Sequence, residues 1–523
     1  MRLKFEKSRI GIYFIVLFAL LAGIYIPSFF NPPHVDYWEA FHIFHLVAAS
    51  PAPPNLIAVV NHDPWQDGTY RPFSYLLLYL EHNIFGARFV WNHIVNFILY
   101  CLSVVLLYRL ARRLGLDKFP SAAFLGLYIF LFTHSGILTL TFHQFIIIGF
   151  SSFLLGFIIY LRWLTTARKH LLVPVGLLFL FGMFCYETFS LWPLSTIILH
   201  QLHRYRAPSS SVRSEKTGYF PELLMLGIVY LIYFIGFWLT RTASIRSGSL
   251  PGFVPGNAAM SLVSVFFNLL YNSIIVNLFP SLALPCRFGD WVEMGRVTAN
   301  IPIYSLSATV IYVGAGMILL IAVGGWILWR RKKFILFFIL AFLLYLYVTN
   351  FLTVSMARLS LSNLNHILVQ FRYQYVPNAL LFLMVAAVIG RLLHPGRWGK
   401  VIVCSLLLPV LIANVSLSSR NVATVNRHLD PLQRLIAYII TGIDTGEINE
   451  DARLYIQPGI TKYLPELCWH KGIGSKMAGT YEWLFPEDKI GCFAFSPRDA
   501  VWIMDSPLGD YRRIDRTIKN KKN

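Results

Sequence analysis

Apolar runs of roughly 18 residues or more recur along most of this 523-residue chain. Each is long enough to cross a hydrocarbon core of about 30 Å as a helix. Lipid offers the backbone no hydrogen-bond partner, so only helices and closed barrels can span it. The runs lack the strict alternation of barrel strands, which leaves helices. Composition agrees. The chain is 56% hydrophobic and only 13% charged, where a soluble protein carries about a quarter charged residues. The expected fold class is an all-α polytopic membrane protein. Its apolar segments read as 10–30, 90–109, 119–137, 143–163, 171–186, 188–203, 220–240, 306–329, 334–352, 376–393 and 401–417, about eleven transmembrane helices.

The basic residues order these segments. Arg2, Lys4, Lys7 and Arg9 precede the first, and no small-residue cleavage site follows, so the first helix is read as retained. Arg109, Arg112, Arg113 and Lys118 join the second and third. Arg162, Arg168 and Lys169 join the fourth and fifth, and His203, Arg204, Arg206, Arg213 and Lys216 the sixth and seventh. Arg330 to Lys333 join the eighth and ninth, and Arg391, Arg397 and Lys400 the tenth and eleventh. Every alternate loop is basic, which places the N-terminus in the cytoplasm and the C-terminus outside it. The net charge of +20 is therefore a topology signal with a share for anionic lipid, and implies no nucleic acid. Making 257–284 a span would reverse every later loop, so it is read as lying in or on the outer interface.

The reading divides the chain in two. Residues 1–417 form a transmembrane domain with outer loops 31–89, 241–305 and 353–375. Residues 418–523 form a small extracytoplasmic C-terminal domain, α/β or β-rich, with strands expected at 453–457, 490–495 and 500–504. Cys101, Cys185 and Cys404 read as core residues. Cys468 and Cys492 are free to pair if the tail is extracytoplasmic. The sequon at Asn414 abuts a helix end, and a bacterial inner membrane is favoured over the endoplasmic reticulum.

Polar residues concentrate in the outer loops. Asp36 follows the first helix, with Trp38 and Glu39 beside it in an interfacial amphipathic stretch. It reads either as a helix N-cap or as a general base at the mouth of a membrane cavity. Asp63 and Asp67 flank Trp65 in a turn-rich loop ending at Tyr70 and Arg71. The aspartates suit turns or substrate contact. Arg71 suits an interfacial anchor or a guanidinium fork on phosphate. Glu187 lies between two short apolar segments, where a carboxylate is costly and marks a functional candidate or a buried hydrogen-bonding cap. His134 and His143 bracket a short outer loop as structural or substrate-contact residues. Arg372 stands among aromatics at the outer start of the tenth helix, as a belt residue or a docking point for an anionic headgroup. The histidines make no metal spacing; a divalent metal stays open as a cofactor but has no clear ligand set. No phosphate-binding glycine loop faces the cytoplasm.

Tyr70-Arg71-Pro72-Phe73, Trp91-Asn92-His93-Ile94-Val95-Asn96, Phe132-Thr133-His134, Tyr186-Glu187-Thr188, Asn277-Leu278-Phe279-Pro280 and Arg372-Tyr373-Gln374-Tyr375-Val376-Pro377 occur in that order. Together they resemble the GT-C membrane glycosyltransferases. The likeness is to the protein O-mannosyltransferase-like branch, including the transmembrane and TPR-containing O-mannosyltransferases, and covers roughly residues 10–395. The resemblance implies an inverting transferase that takes a sugar from a polyprenyl-phosphate donor to a protein or glycan acceptor. It places the acidic active-site residue of the first outer loop at Asp36 and the donor phosphate near Arg71, Arg372 and Glu187. Three features depart from the pattern. Tyr186 stands where relatives often have lysine, Tyr37 where a second carboxylate often follows the first, and Leu138-Thr139-Leu140 where an acidic residue often follows the histidine. No TPR repeat follows residue 418. A transporter or flippase of lipid-linked sugars, or a noncatalytic scaffold of the same fold, is the alternative. The outer position of the polar residues and the lack of an inverted repeat count against transport.

Overall fold

The computed structural model describes residues 2–31, 71–85, 89–139, 144–206, 219–246, 308–357, 374–392, 397–444, 454–456, 502–504 and 511–513. Helices occupy all eleven apolar segments. They are α1 (Arg2–Tyr25), α2 (Pro72–Phe85), α3 (Phe89–Arg113), α4 (Lys118–Ile129), α5 (Ser135–Thr139), α6 (Gln144–Thr166) and α7 (Leu172–Cys185). Then come α8 (Thr196–Arg206), α9 (Tyr219–Arg246), α10 (Ala308–Arg330), α11 (Phe334–Ala357), α12 (Tyr375–Leu392) and α13 (Arg397–Asp444). Among the described residues, six helices are long and apolar enough to cross a membrane, and the bent pair α4–α5 makes a seventh. This is a multi-pass, helical membrane protein.

Three short strands, β1 (Leu454–Ile456), β2 (Trp502–Met504) and β3 (Tyr511–Arg513), form a sheet in that order. β1 and β2 are parallel, β2 and β3 antiparallel. The expected strands at 453–457 and 500–504 are present, β3 was not foreseen, and 490–495 lies outside the described residues. Helix α13 passes through residue 418 without a break.

Two breaks in the helices, one within a span and one between two short helices, organise the bundle. The first lies between α4 and α5, where the chain bends by 56° through a 3-10 turn at Phe132–His134. The second lies between α7 and α8, with Tyr186 extended and 3-10 turns at Glu187–Phe189 and Trp192–Ser195. A break frees carbonyls that lipid cannot satisfy. Neighbouring helices satisfy them instead. At the first break, the Tyr100 hydroxyl donates to Ile129 O at 3.0 Å and the Asn96 amide to Ile137 O at 2.8 Å. Asn414 accepts from the Phe132 N–H at 3.1 Å. At the second, Ser74 donates to Cys185 O at 2.5 Å, Thr353 to Thr188 O at 2.9 Å, Tyr230 to Ser190 O at 2.8 Å and Tyr345 to Leu191 O at 3.0 Å. Helices α2, α9 and α11 thus clamp the α7–α8 break.

Between the breaks runs α6, packed tightly on α7. A Cβ on Gly182 would come within 2.5 Å of the Phe153 ring, and one on Gly149 within 2.8 Å of Phe189. Their absence lets Phe153, Phe179, Phe189 and Trp192 interlock, with Phe153 stacked on Phe179 at 5.1 Å. Of the cysteines, Cys185 is buried and Cys101 half-buried, but Cys404 is exposed on the bundle exterior. Cys404 is therefore no core residue: α13 presents that side chain outward, where a lipid-facing helix carries apolar groups.

The helix ends that flank the basic segments gather at one end of the bundle. Arg206, closing α8, donates to the carbonyls of Arg113 and Leu114. Tyr205 stacks on Phe334 and Phe338, next to the Arg330–Lys333 turn. His200 pairs with Glu222 at 2.7 Å near the start of α9, and Gly390 lies against Asp117. Gly115, at φ +75°, closes α3 with bonds from Gly115 N to Arg112 O and from Leu116 N to Ala111 O, a left-handed cap that favours glycine.

Candidate functional site: a buried arginine fork in a broken hairpin

Arg71 stands just before Pro72, which opens α2. Proline is well placed there because its missing N–H would have had no helical partner. The Arg71 carbonyl accepts from Ser74 N and Tyr75 N, closing the first turn. Asn92 of α3 donates to Glu81 of α2 at 2.9 Å, and Phe73 stacks on Phe181 of α7 at 4.9 Å. The Phe73 stack and the Ser74 bond to Cys185 O hold the start of α2 against the α7–α8 break, while the Asn92–Glu81 bond ties α2 to α3.

The guanidinium of Arg71 meets the carboxylate of Glu187 there. Nε donates to one oxygen at 2.6 Å and Nη2 to the other at 2.5 Å. This is the parallel two-bond geometry that makes arginine a reader of carboxylate and phosphate. Both side chains are shielded, at 5% and 16% exposure. The planar cation lies 4.7 Å from the Tyr186 ring centroid and 5.7 Å from that of Phe145. Aromatic faces add attraction for the cation and limit its solvation.

The depth of the site follows from its clamps. Tyr230 and Tyr345 each stand eleven residues beyond the starts of α9 and α11, about 16 Å along at ~1.5 Å per residue. Thr353 stands nineteen residues beyond the start of α11, about 28 Å along. The break thus runs from about the middle of the bundle toward the end opposite the basic helix ends.

His134 lies in the other break. It is fully buried, with Nδ1 2.8 Å from the Tyr100 hydroxyl and its ring against Tyr128 and Tyr375. The Tyr375 hydroxyl is bonded in turn to Ser103 at 2.5 Å. Phe150 of α6 touches both Tyr375 and Trp192, and so bridges the two breaks.

Of the residues singled out by sequence, Arg71 and Glu187 are brought into direct contact, and His134 is packed apart from them. Asp36, Trp38, Glu39, Asp63, Trp65, Asp67, Tyr70, His143, Arg372, Cys468 and Cys492 lie outside the described residues. Among the described residues, no group of three or more His, Cys, Asp or Glu side chains is placed to hold a metal ion. Sequence reasoning missed Ser74, Phe145, Tyr230, Tyr345 and Thr353. Hydroxyls within apolar helices were the available signal, since each must find a partner in lipid.

No protein-family model matches the chain, and no curated protein matches it. Among solved structures it is similar to crystal structures of the Archaeoglobus fulgidus oligosaccharyltransferase. The apo form aligns at 14% identity with a TM-score of 0.42, covering 80% of this chain and 56% of that one. The complex with Zn and sulfate aligns at 14% and 0.39, covering 78% and 53%. The form tethered by a disulfide to an acceptor peptide containing the NVT sequon aligns at 14% and 0.38, covering 78% and 55%. The chain thus spans about half the length of the solved structures it matches. Likeness of this degree assigns the chain no activity.

Proposed function

We propose that this protein is a GT-C-type membrane glycosyltransferase that moves a sugar from a polyprenyl-phosphate-linked donor to a protein or glycan acceptor on the extracytoplasmic side. The Arg71–Glu187 fork carries the reading. It is a preorganised cation, shielded from water, at the bundle end away from the basic loops. The ordered motifs resembling that family support the same assignment. The positive-inside bias supports a cytoplasmic N-terminus and an extracytoplasmic site, as in a bacterial inner membrane.

In this reading the donor's lipid tail stays in the bilayer and its phosphate meets Arg71 and Arg372. Glu187 holds the Arg71 guanidinium over the Tyr186 ring, so that its orientation is set before the donor arrives. Asp36 takes the proton from the acceptor hydroxyl as that oxygen attacks the anomeric carbon. The bond from that carbon to the phosphate oxygen breaks, and the charge left on the phosphate is stabilised by the arginines. Attack opposite the leaving group inverts the anomeric centre.

Two measurements test this. Lipid-linked sugars are compared by mass spectrometry in cells with and without the chain, and one polyprenyl-phosphate sugar is expected to accumulate in its absence. In purified membranes Asp36→Asn is expected to lower transfer at least about 100-fold, the lower end for loss of a general base. Undiminished transfer by Asp36→Asn removes the base assignment. Label crossing the bilayer with no glycosidic bond formed overturns the transferase reading.

A further inference from the structure

Gln144 opens α6 beside Phe145, whose ring lies 5.4 Å from that of Tyr186 and faces the Arg71 guanidinium. The Gln144 side chain is 1% exposed, yet neither its amide nitrogen nor its carbonyl oxygen has a hydrogen-bond partner. Among the described residues it is the one side-chain amide with both atoms unsatisfied. By contrast Asn96 bonds Ile137 O through its nitrogen, leaving only its oxygen without a partner, and Asn414 uses both atoms, on the Phe132 N–H and Val410 O. On the other side of the fork's carboxylate in sequence from Tyr186, Thr188 directly follows Glu187. It is also 1% exposed, and its hydroxyl is likewise unpartnered.

Burying an amide with nothing to bond is unfavourable, and buried polar groups are satisfied in the great majority of proteins. One unsatisfied group directly follows Glu187, and the other directly precedes Phe145, whose ring lies 5.7 Å from the Arg71 guanidinium; together they mark a place where bonding is completed by something other than the chain. Arg71 is suited to an anion. Gln144 is suited to a neutral ligand that donates and accepts at once, because its amide has both a donor and an acceptor face. Adjacent hydroxyls of a sugar ring have that character; an alkyl chain or a bare phosphate does not.

We propose that Gln144 is the sugar-reading residue of the site, bonding ring hydroxyls of the donor while Arg71 holds its phosphate, with the Thr188 hydroxyl as a second contact. This rests on the donor chemistry proposed above and adds to it a separate element of specificity. A site whose buried polar groups are completed only by the right hydroxyls rejects ligands that lack them.

The full-length protein in detergent would be titrated with farnesyl phosphate and with farnesyl phosphate esters of mannose, glucose, galactose and N-acetylglucosamine. At least one sugar-bearing probe is expected to bind wild type more tightly than farnesyl phosphate. Gln144→Met, similar in volume and apolar, is expected to remove about tenfold or more of that preference. Its affinity for farnesyl phosphate should stay within about twofold, because Arg71 is untouched. Its thermal midpoint should equal or exceed that of wild type, since an unsatisfied buried amide is gone. Arg71→Lys is expected to weaken all five probes. A sugar preference that survives Gln144→Met, or a midpoint that falls clearly below wild type, overturns the role of Gln144 and leaves the donor reading standing. A wild type that binds none of the five overturns both.

Discussion

At the residue scale the Arg71–Glu187 pair is a structural tie and, in the proposed function, the preorganised part of the site. Removing one partner of a shielded, two-bond pair strands the other charge, which costs about 3 kcal/mol or more. Glu187→Leu and Arg71→Met are each expected to lower the thermal midpoint of the detergent-solubilised protein. The double variant is expected to be more stable than the sum of the two losses predicts, because it leaves no stranded charge. Strict additivity would show that the two side chains do not interact in solution. Arg71→Lys tests the fork separately from the charge, since an ammonium cannot make both bonds in one plane. Each residue was visible in the sequence as a costly charge beside an apolar segment. Their partnership was not, because they are 116 residues apart and meet only because α2 packs on the α7–α8 break.

At the element scale the breaks depend on close packing of α6 against α7. Gly182→Ala would place a Cβ 2.5 Å from the Phe153 ring and 3.1 Å from the Gly149 carbonyl. The ring can turn; the backbone carbonyl has little room to give. Overpacking of this kind costs about 1–3 kcal/mol. Gly227→Ala, on the exposed face of α9 where a Cβ meets nothing within 4 Å, is expected to gain about 0.5–1 kcal/mol from helix propensity. Thermal unfolding of the two variants side by side checks the contrast, and equal effects would contradict the packing described. The helices were legible as elements because apolar run length and flanking charge follow from the bilayer itself. The break at Glu187 was legible too, from the two short runs that flank it. The bend at Phe130–Leu131 was not, because the run from 119 to 137 carries no proline or charge after Pro120 to mark it. Tyr100, Asn96 and Asn414 from other helices make that bend tolerable.

For the whole molecule, the gathering of the basic helix ends predicts a single orientation. In a cysteine-free background, Lys332→Cys is expected to react with a membrane-impermeant maleimide only after the cytoplasmic side is opened. Thr69→Cys, two residues before Arg71, is expected to react in intact cells. The opposite pattern would invert the molecule and move the candidate site to the cytoplasmic side.

The sequence by itself determined the class of molecule and the places of its helices. Those are one-dimensional consequences of lipid: run length, backbone satisfaction and charge at the ends. Only the tertiary structure decided which helices break, which side chains satisfy the freed carbonyls, that the Arg71 fork closes on Glu187, and that the Gln144 amide and the Thr188 hydroxyl are buried without a partner. Those outcomes depend on which helix faces meet, and side-chain contacts between helices far apart in the chain leave no periodic trace in the sequence.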